Sequence, residues 1–242
     1  MAIIMVDNSA ARIIVFSPMK LRHRVFVKTL LLNNVVVEKV VTKGNQVNFI
    51  KNVKKSLSIS FMLDKLLTIL EFIFEGPVHL PDIEEVKVQD YKEILTFNEI
   101  KHGLVQAIIV YGGPVIPSGL INQTQKLFIN IHGAILPGYR GLDSHWWLFI
   151  EKKYNLQGYT IHLIDEKIDS GKILKTRSFD GRVLSVNRIF LWRIWIAKKS
   201  GMDMAELLRN NLDVNMTAHD LNLSTYRSSI SIANFLKPRK IL

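Results

Sequence analysis

The sequence predicts an α/β protein built on a Rossmann-like, mostly parallel sheet, followed by a short, largely helical C-terminal extension. Three observations lead there. Strand-like and helix-like runs alternate with short loops along most of the chain. The order strand–helix–strand appears at once in residues 11–42, and QAIIVY (106–111) is apolar enough for a strand buried on both faces.

In chain order, ARIIVFS (11–17) reads as the first strand, and the basic stretch PMKLRHR follows it. VFVKTLLLNN reads as a helix and VVVEKVVT (35–42) as the second strand. Residues 57–75 fit an amphipathic helix ended by Gly76-Pro77, and EEVKVQ (84–89) is the next strand. YKEILTFNEIKHGL reads as one helix, QAIIVY as a strand, and GGPVIP as a turn. KLFINIH (126–132) is a strand and DSHWWLFIEKKY a helix. GYTIHLID (158–165) and GKILKTRSF (171–179) complete the sheet. The expected division is a catalytic domain over 1–183 and an extension over 184–242, where NRIFLWRIWIAKKSG is helical and a polar tail ends in KPRKIL. The Trp and Ile residues of that helix are expected to form a packing face.

Composition narrows the function classes. Hydrophobic residues make up 48% of the 242, enough for a sizeable core. The absence of cysteine excludes disulfides, zinc–thiolate sites and cysteine nucleophiles. A formal net charge of +11 suits an anionic partner without choosing among nucleic acid, an acidic membrane surface and a small polyphosphate. The N-terminal residues lack the order of a signal peptide, and the longest apolar segment, 58–76, carries four charges. No membrane span and a cytoplasmic location are therefore expected. Neither a glycine-rich dinucleotide fingerprint nor a Walker-type phosphate loop is present.

The chemistry concentrates in LFINIHGAILPGYRG (127–141). Alternate residues of a strand face the same way, so Asn130 and His132 point together at the carboxyl end of a central strand, where open α/β sheets bind ligands. An amide can hydrogen-bond a developing oxyanion and an imidazole can move a proton. The carboxylate to orient that imidazole is sought in DEKIDSGKIL (165–174), with Asp165, Glu166 and Asp169 as candidates. His162, on an apolar strand, and Trp147 read as structural residues. His145 or Trp146 could brush an acceptor. The stretch KLRHR is either a phosphate contact, through Lys20 and Arg22, or a solvated helix start.

NIHGAILPGYRG followed by GYTIHLIDEKIDSGKIL resembles the folate-dependent formyltransferases. The resemblance rests on Asn130 and His132; Leu136, Pro137, Tyr139, Arg140 and Gly141; Thr160 and His162; and Asp165, Ile168, Asp169, Ser170 and Gly171. It is strong over 106–176, whereas 11–42 shares only strand order. Gly133 and Lys167 depart from the usual pattern. The resemblance implies the formyltransferase fold and attack of an amine on the formyl carbon of 10-formyltetrahydrofolate, with no metal. By the same resemblance, Asn130 stabilises the oxyanion of a tetrahedral intermediate, His132 shuttles the proton, and Asp169 orients or polarises that ring. It also implies a pterin pocket between Gly113, Pro114, Val115 and Ile116 on one side and Asp165, Glu166 and Ile168 on the other. Tyr139, Arg140, His145, Lys20 and Arg22 are the candidate substrate contacts.

Within the family, the stretch after the last motif strand looks helical and unlike the barrel of methionyl-tRNA formyltransferases. The Tyr-Arg-Gly loop before a Trp-rich helix looks most like the sugar N-formyltransferases. A nucleotide-linked amino sugar destined for lipopolysaccharide or O-antigen is thus the expected small-molecule partner, with no nucleic acid and with a homodimer through the C-terminal part. The alternatives are a glycinamide ribonucleotide or methionyl-tRNA acceptor, or a non-catalytic RNA- or membrane-binding module on the same fold.

Overall fold

The computed structural model describes residues 10–44, 59–113, 115–179 and 188–228. Pro114, the boundary placed at 183/184 and the terminal KPRKIL all lie outside the described residues.

The first strand, β1 (Arg12–Phe16), leads through Ser17–Lys20 into helix α1 (Leu21–Leu32), and β2 (Val36–Lys43) follows. Helix α2 (Ile59–Glu75) precedes β3 (Glu84–Val88). Then come a short helix α3 (Asn98–Lys101), β4 (Ala107–Tyr111), α4 (Ser118–Thr124) and β5 (Leu127–His132). A three-residue strand β6 (Tyr139–Gly141) and helix α5 (Ser144–Ile150) lead to β7 (Gly158–Leu163) and β8 (Ile173–Ser178). Helix α6 (Ile189–Arg209) and a last short strand, β9 (Thr225–Arg227), complete the described chain.

Seven strands form one sheet in the order β3-β2-β1-β4-β5-β7-β8. The first five run parallel, and β7 and β8 add on as antiparallel strands. This is the mostly parallel, Rossmann-like arrangement expected from the alternation of elements. The central strands are buried on both faces, as parallel sheets require. One face, with Ile13, Val15, Ile109 and Ile129, packs against α1 and α6; the other, with Ile14, Phe16, Ile108 and Phe128, packs against Tyr91, Ile94 and Leu120. Strand order reverses between β1 and β4, so the loops leaving them diverge and open a crevice at the carboxyl edge. Among the described residues no helix is long and apolar enough to cross a membrane.

One open alternative resolves as a helix start, and three elements differ from the sequence reading. The basic stretch 20–24 is already the first turn of α1, which puts Arg22 and His23 on a helix. The single helix expected over 91–104 is broken into a 3₁₀ turn (Tyr91–Thr96) and α3. Thr96 Oγ1 donates to the Glu93 carbonyl at 2.7 Å, and Phe97 takes an extended conformation. A β-branched hydroxyl residue bonding its own turn competes with helix continuation. Helix α5 ends at Ile150 and the chain turns through Lys152 at φ +55°. Finally, the extension is not helical throughout. Its strand β9 pairs in parallel with β6, the Tyr-Arg-Gly stretch, which reads as a loop in the sequence.

Helix α6 carries the Trp-rich run, and Trp192 and Ile196 are buried in the same core as β1 and α1, as a packing face should be. At its crossing with α1, a Cβ on Gly201 would stand 2.8 Å from Thr29 Cβ and 3.2 Å from the Phe26 carbonyl oxygen. Gly201→Val is therefore expected to cost about 1–3 kcal/mol of stability through overpacking. Urea unfolding would read it as a lower midpoint, and an unchanged midpoint would mean the two helices are not in such close contact.

Candidate active site

The register of the sheet brings the polar residues together. On β5, Asn130 and His132 lie two apart and share a face. The antiparallel pairing with β7 sets Asn130 opposite His162 and His132 opposite Thr160. Cross-strand neighbours of this kind touch through their side chains. Accordingly, Asn130 Nδ2 lies 3.1 Å from His162 Nε2. Thr160, fully buried, donates to the Ala134 carbonyl at 2.9 Å and accepts from the Leu136 N–H at 3.0 Å, which ties the loop after β5 to β7.

The loop between β7 and β8 folds back onto this pair. It can do so because Gly171 leaves room: a Cβ there would fall 1.9 Å from the Leu163 carbonyl oxygen. Asp165 organises the turn, accepting from the Lys167 N–H at 3.2 Å and from the Ser170 hydroxyl. Asp169 then adopts φ +51° and turns its carboxylate inward.

Four groups meet that carboxylate. Oδ2 accepts from the Gly141 N–H at 2.8 Å and lies 3.3 Å from His132 Nδ1. Oδ1 accepts from Asn130 Nδ2 at 3.2 Å and lies 3.4 Å from His162 Nε2. Burial alone would raise the Asp169 pKa, but the His132 and His162 rings and the Gly141 N–H outweigh it and hold the carboxyl well below its ordinary range. The carboxylate is charged at neutral pH.

His132 is buried, and its Nε2 lies 2.8 Å from the Tyr139 carbonyl. Nε2 thus faces a carbonyl and Nδ1 faces the Asp169 carboxylate, and a neutral ring, with one hydrogen, donates to one of the two and turns a lone pair to the other. Burial lowers the pKa of the ring, the Asp169 charge opposes that, and the net direction is downward. The resting ring is therefore neutral, and it stands next to an anion that would stabilise it once protonated.

These side chains line one wall of a cavity of about 250 Å³ in the crevice. Gly113, Val115 and Ile116 line it after β4, and Asp165, Glu166 and Ile168 line it from the loop after β7. Arg22 and His145 also line it. Burial, with Arg22 nearby, brings the His145 pKa down to about 4, so this ring too is neutral.

Three expected substrate contacts are placed elsewhere. Tyr139 is buried and its hydroxyl donates to Glu151, because β6 packs its tyrosine inward; its contribution to the site is the backbone carbonyl on His132. Arg140 donates to the Ile168 carbonyl at 3.1 Å and to Ser224 Oγ at 2.9 Å, so it clasps the acidic loop to the C-terminal segment. Lys20 is outside the cavity lining and pairs with Asp64. Conversely, His162 is buried, as read from the sequence, and its ring also touches both Asn130 and Asp169. The period-2 pattern of GYTIHL carries that signal once β7 is known to pair with β5.

A family model described as formyl transferase matches residues 95–180. The methionyl-tRNA formyltransferase of Thermodesulfovibrio yellowstonii is 35% identical over 68 residues, 28% of this chain and 22% of that protein. The GDP-perosamine N-formyltransferase of Brucella melitensis is 35% identical over 60 residues, 25% of this chain and 23% of that protein. The chain thus matches less than a quarter of the length of these two curated relatives. Among solved structures, the N-formyltransferase from Helicobacter canadensis, in complex with folinic acid and dTDP-3-aminofucose, aligns over 90% of this chain and 71% of its own, at 14% identity and a TM-score of 0.57. The phosphoribosylglycinamide formyltransferase from Anaplasma phagocytophilum aligns over 90% and 99%, at 15% identity and a TM-score of 0.58. At such identities the likeness is one of fold. Residues 95–180 carry the formyl transferase family's sequence, and the chain around them has the formyltransferase fold.

Proposed function

We propose that the protein transfers a formyl group from 10-formyltetrahydrofolate to the amine of a nucleotide-linked amino sugar. The observation that carries the reaction is the meeting of Asn130, His132 and Asp169 on one wall of the cavity. An amide donor and a neutral imidazole backed by a carboxylate are what attack of an amine on a formyl carbon requires.

The cavity suits a folate. Val110, Val115, Ile116, Ile164 and Ile168 give it apolar walls for a flat ring, and Asp165 and Glu166 offer acceptors for ring N–H groups. The backbone of Gly113, Val115 and Ile116 would hold the opposite edge. Bound there, 10-formyltetrahydrofolate supplies the activated one-carbon unit. A volume of about 250 Å³ is at the small end for a ligand pocket, so the cavity would hold the reacting ends and leave the rest of both substrates in the open crevice.

Each residue has a distinct task. His132 Nδ1 takes the proton that the attacking amine sheds and would return it to N10 as the bond from the formyl carbon to N10 breaks and tetrahydrofolate leaves; Asp169 Oδ2 stabilises the imidazolium between the two transfers. Nε2 stays on the Tyr139 carbonyl and keeps the ring oriented. Asn130 Nδ2 carries two hydrogens, which rest on Asp169 and His162. One of them re-aims at the formyl oxygen as negative charge develops, a contribution typically worth about 3 kcal/mol for one donor.

The acceptor is the finer part of the proposal. Its support is the Helicobacter canadensis complex with a nucleotide-linked amino sugar, the GDP-perosamine enzyme among the relatives, and the cationic Arg22 in the cavity lining. The product would enter a surface polysaccharide such as O-antigen. Glycinamide ribonucleotide is the second reading, favoured by the near-complete alignment with the Anaplasma phagocytophilum structure. Mixing the protein with 10-formyltetrahydrofolate and a panel of amino-sugar nucleotides, glycinamide ribonucleotide and methionyl-tRNA, and following tetrahydrofolate release, separates these acceptors. Release with none of them would end the catalytic reading.

His132→Asn is expected to lower turnover by about 10²–10⁴-fold, the usual worth of a positioned acid–base, while a folate analogue binds as before. Full activity in that variant would contradict the shuttle. The pH profile gives an independent check. The base acts in its neutral form and its pKa is lowered, so kcat/KM should hold constant above the ordinary imidazole value of 6.5 and fall only at lower pH. Asp169→Asn removes the charge that favours the protonated ring, so the acid limb should move further down as the rate drops. A limb that moves upward would be inconsistent with the pairing.

A further inference from the structure

Helix α2 is mounted inside out. Its acidic residues face the protein, where Asp64 pairs with Arg193 at 2.8 Å and with Lys20, and the fully buried Glu71 lies 2.8 Å from Arg193 Nε. Arg22, on the cavity wall, lies 3.6 Å from Asp64. These ion pairs set the rotation of the helix, since turning it would strand Arg193 buried without its carboxylates. The consequence falls on the opposite side. Met62, Leu66, Ile69, Phe72 and Ile73 recur at helical spacing and remain between 49% and 67% exposed.

Five such side chains leave roughly 600 Å² of apolar surface in water, the upper end of what a monomer tolerates in one patch. We propose that this face docks a second copy of the same chain, α2 against α2 across a two-fold axis. Area supports that occupant, because roughly 600 Å² per copy gives roughly 1,200 Å² in a pair, the threshold of a stable specific interface. Shape supports it too. Ile69 sits near the middle of a stripe, Met62 to Ile73, about 18 Å long, so two antiparallel copies present the same ridge to each other, as an isologous contact requires. Charge disfavours an anionic bilayer, since α2 carries Asp64, Glu71 and Glu75 against the single Lys65, whereas interfacial helices carry Lys and Arg on their polar side. Docking there would brace α2, and through Asp64 the cavity residue Arg22.

The test uses the full chain without ligand, so its outcome is independent of the reaction. Sedimentation equilibrium should find a reversible dimer. Ile69→Lys combined with Ile73→Lys should raise the dimer Kd at least about 100-fold, with the circular dichroism spectrum unchanged because both side chains are exposed. Leu223→Lys, at an exposed leucine outside α2, should leave the dimer intact. A protein that stays monomeric at every concentration, or a dimer indifferent to the α2 substitutions, would overturn the proposal. So would flotation of the wild-type monomer with phosphatidylglycerol vesicles that the double substitution abolishes, which would assign the face to lipid.

Discussion

One buried carboxylate organises the site. Asp169 is nearly out of water, and an ion in that position persists only if its environment replaces hydration. Here two donors replace it, the Gly141 N–H and the Asn130 amide, and the rings of His132 and His162 enclose the carboxylate at 3.3 and 3.4 Å. These groups come from three strands, so the carboxylate ties β5, β6, β7 and the acidic loop to a common point. Removing one partner of a buried charge typically costs about 3–5 kcal/mol, which makes the cluster structural as well as chemical. Because the folded pKa of Asp169 lies below its ordinary value, this contribution is complete above the usual carboxylate range. It is lost as pH falls below that range.

The C-terminal segment completes the arrangement. Gly141 adopts φ +99°, and a Cβ on it would stand 2.0 Å from the Arg227 carbonyl oxygen, so β9 can approach only because this residue is glycine. Arg227 pairs with Glu151 at 2.9 Å, and Glu151 in turn accepts from the buried Tyr139 hydroxyl. Ser224 meets Arg140, whose other end caps Ile168 in the acidic loop. A stretch far along the chain thereby positions the N–H that binds Asp169. The Tyr-Arg-Gly triplet acts here through its backbone and its packing.

Much of this was legible in the sequence, and the parts that were not have identifiable causes. Strand periodicity and β-branched runs located the sheet, since its central strands are apolar on both faces and flanked by clear turn residues. Asn130 and His132 could be paired because a strand repeats every second residue. Asp169 needed the family resemblance, for nothing local says that a loop will fold back with a positive φ. His162 read as structural because its partner strand was unknown, and pairing partners are a property of topology. Tyr139 and Arg140 read as substrate contacts because β9, which covers them, is too short and polar to announce itself. The helix over 91–104 failed for a local reason, the Thr96 hydroxyl bonding its own turn. Helix α2 was visible as amphipathic, but the spacing of its apolar residues does not say whether that stripe faces the core or the solvent. Only the positions of Arg193 and Arg22 in the fold decide it, by drawing Asp64 and Glu71 inward.

The proposed proton transfer needs the His132 ring neutral against a charged Asp169, with its hydrogen on Nε2. Nitrogen-15 NMR of histidine-labelled protein across a pH titration tests it most directly. The expected result is the Nε2–H tautomer at neutral pH, protonation only below pH 6.5, and a further downward displacement in Asp169→Asn. An ordinary or raised titration that ignores the loss of the carboxylate would show that the two groups do not meet.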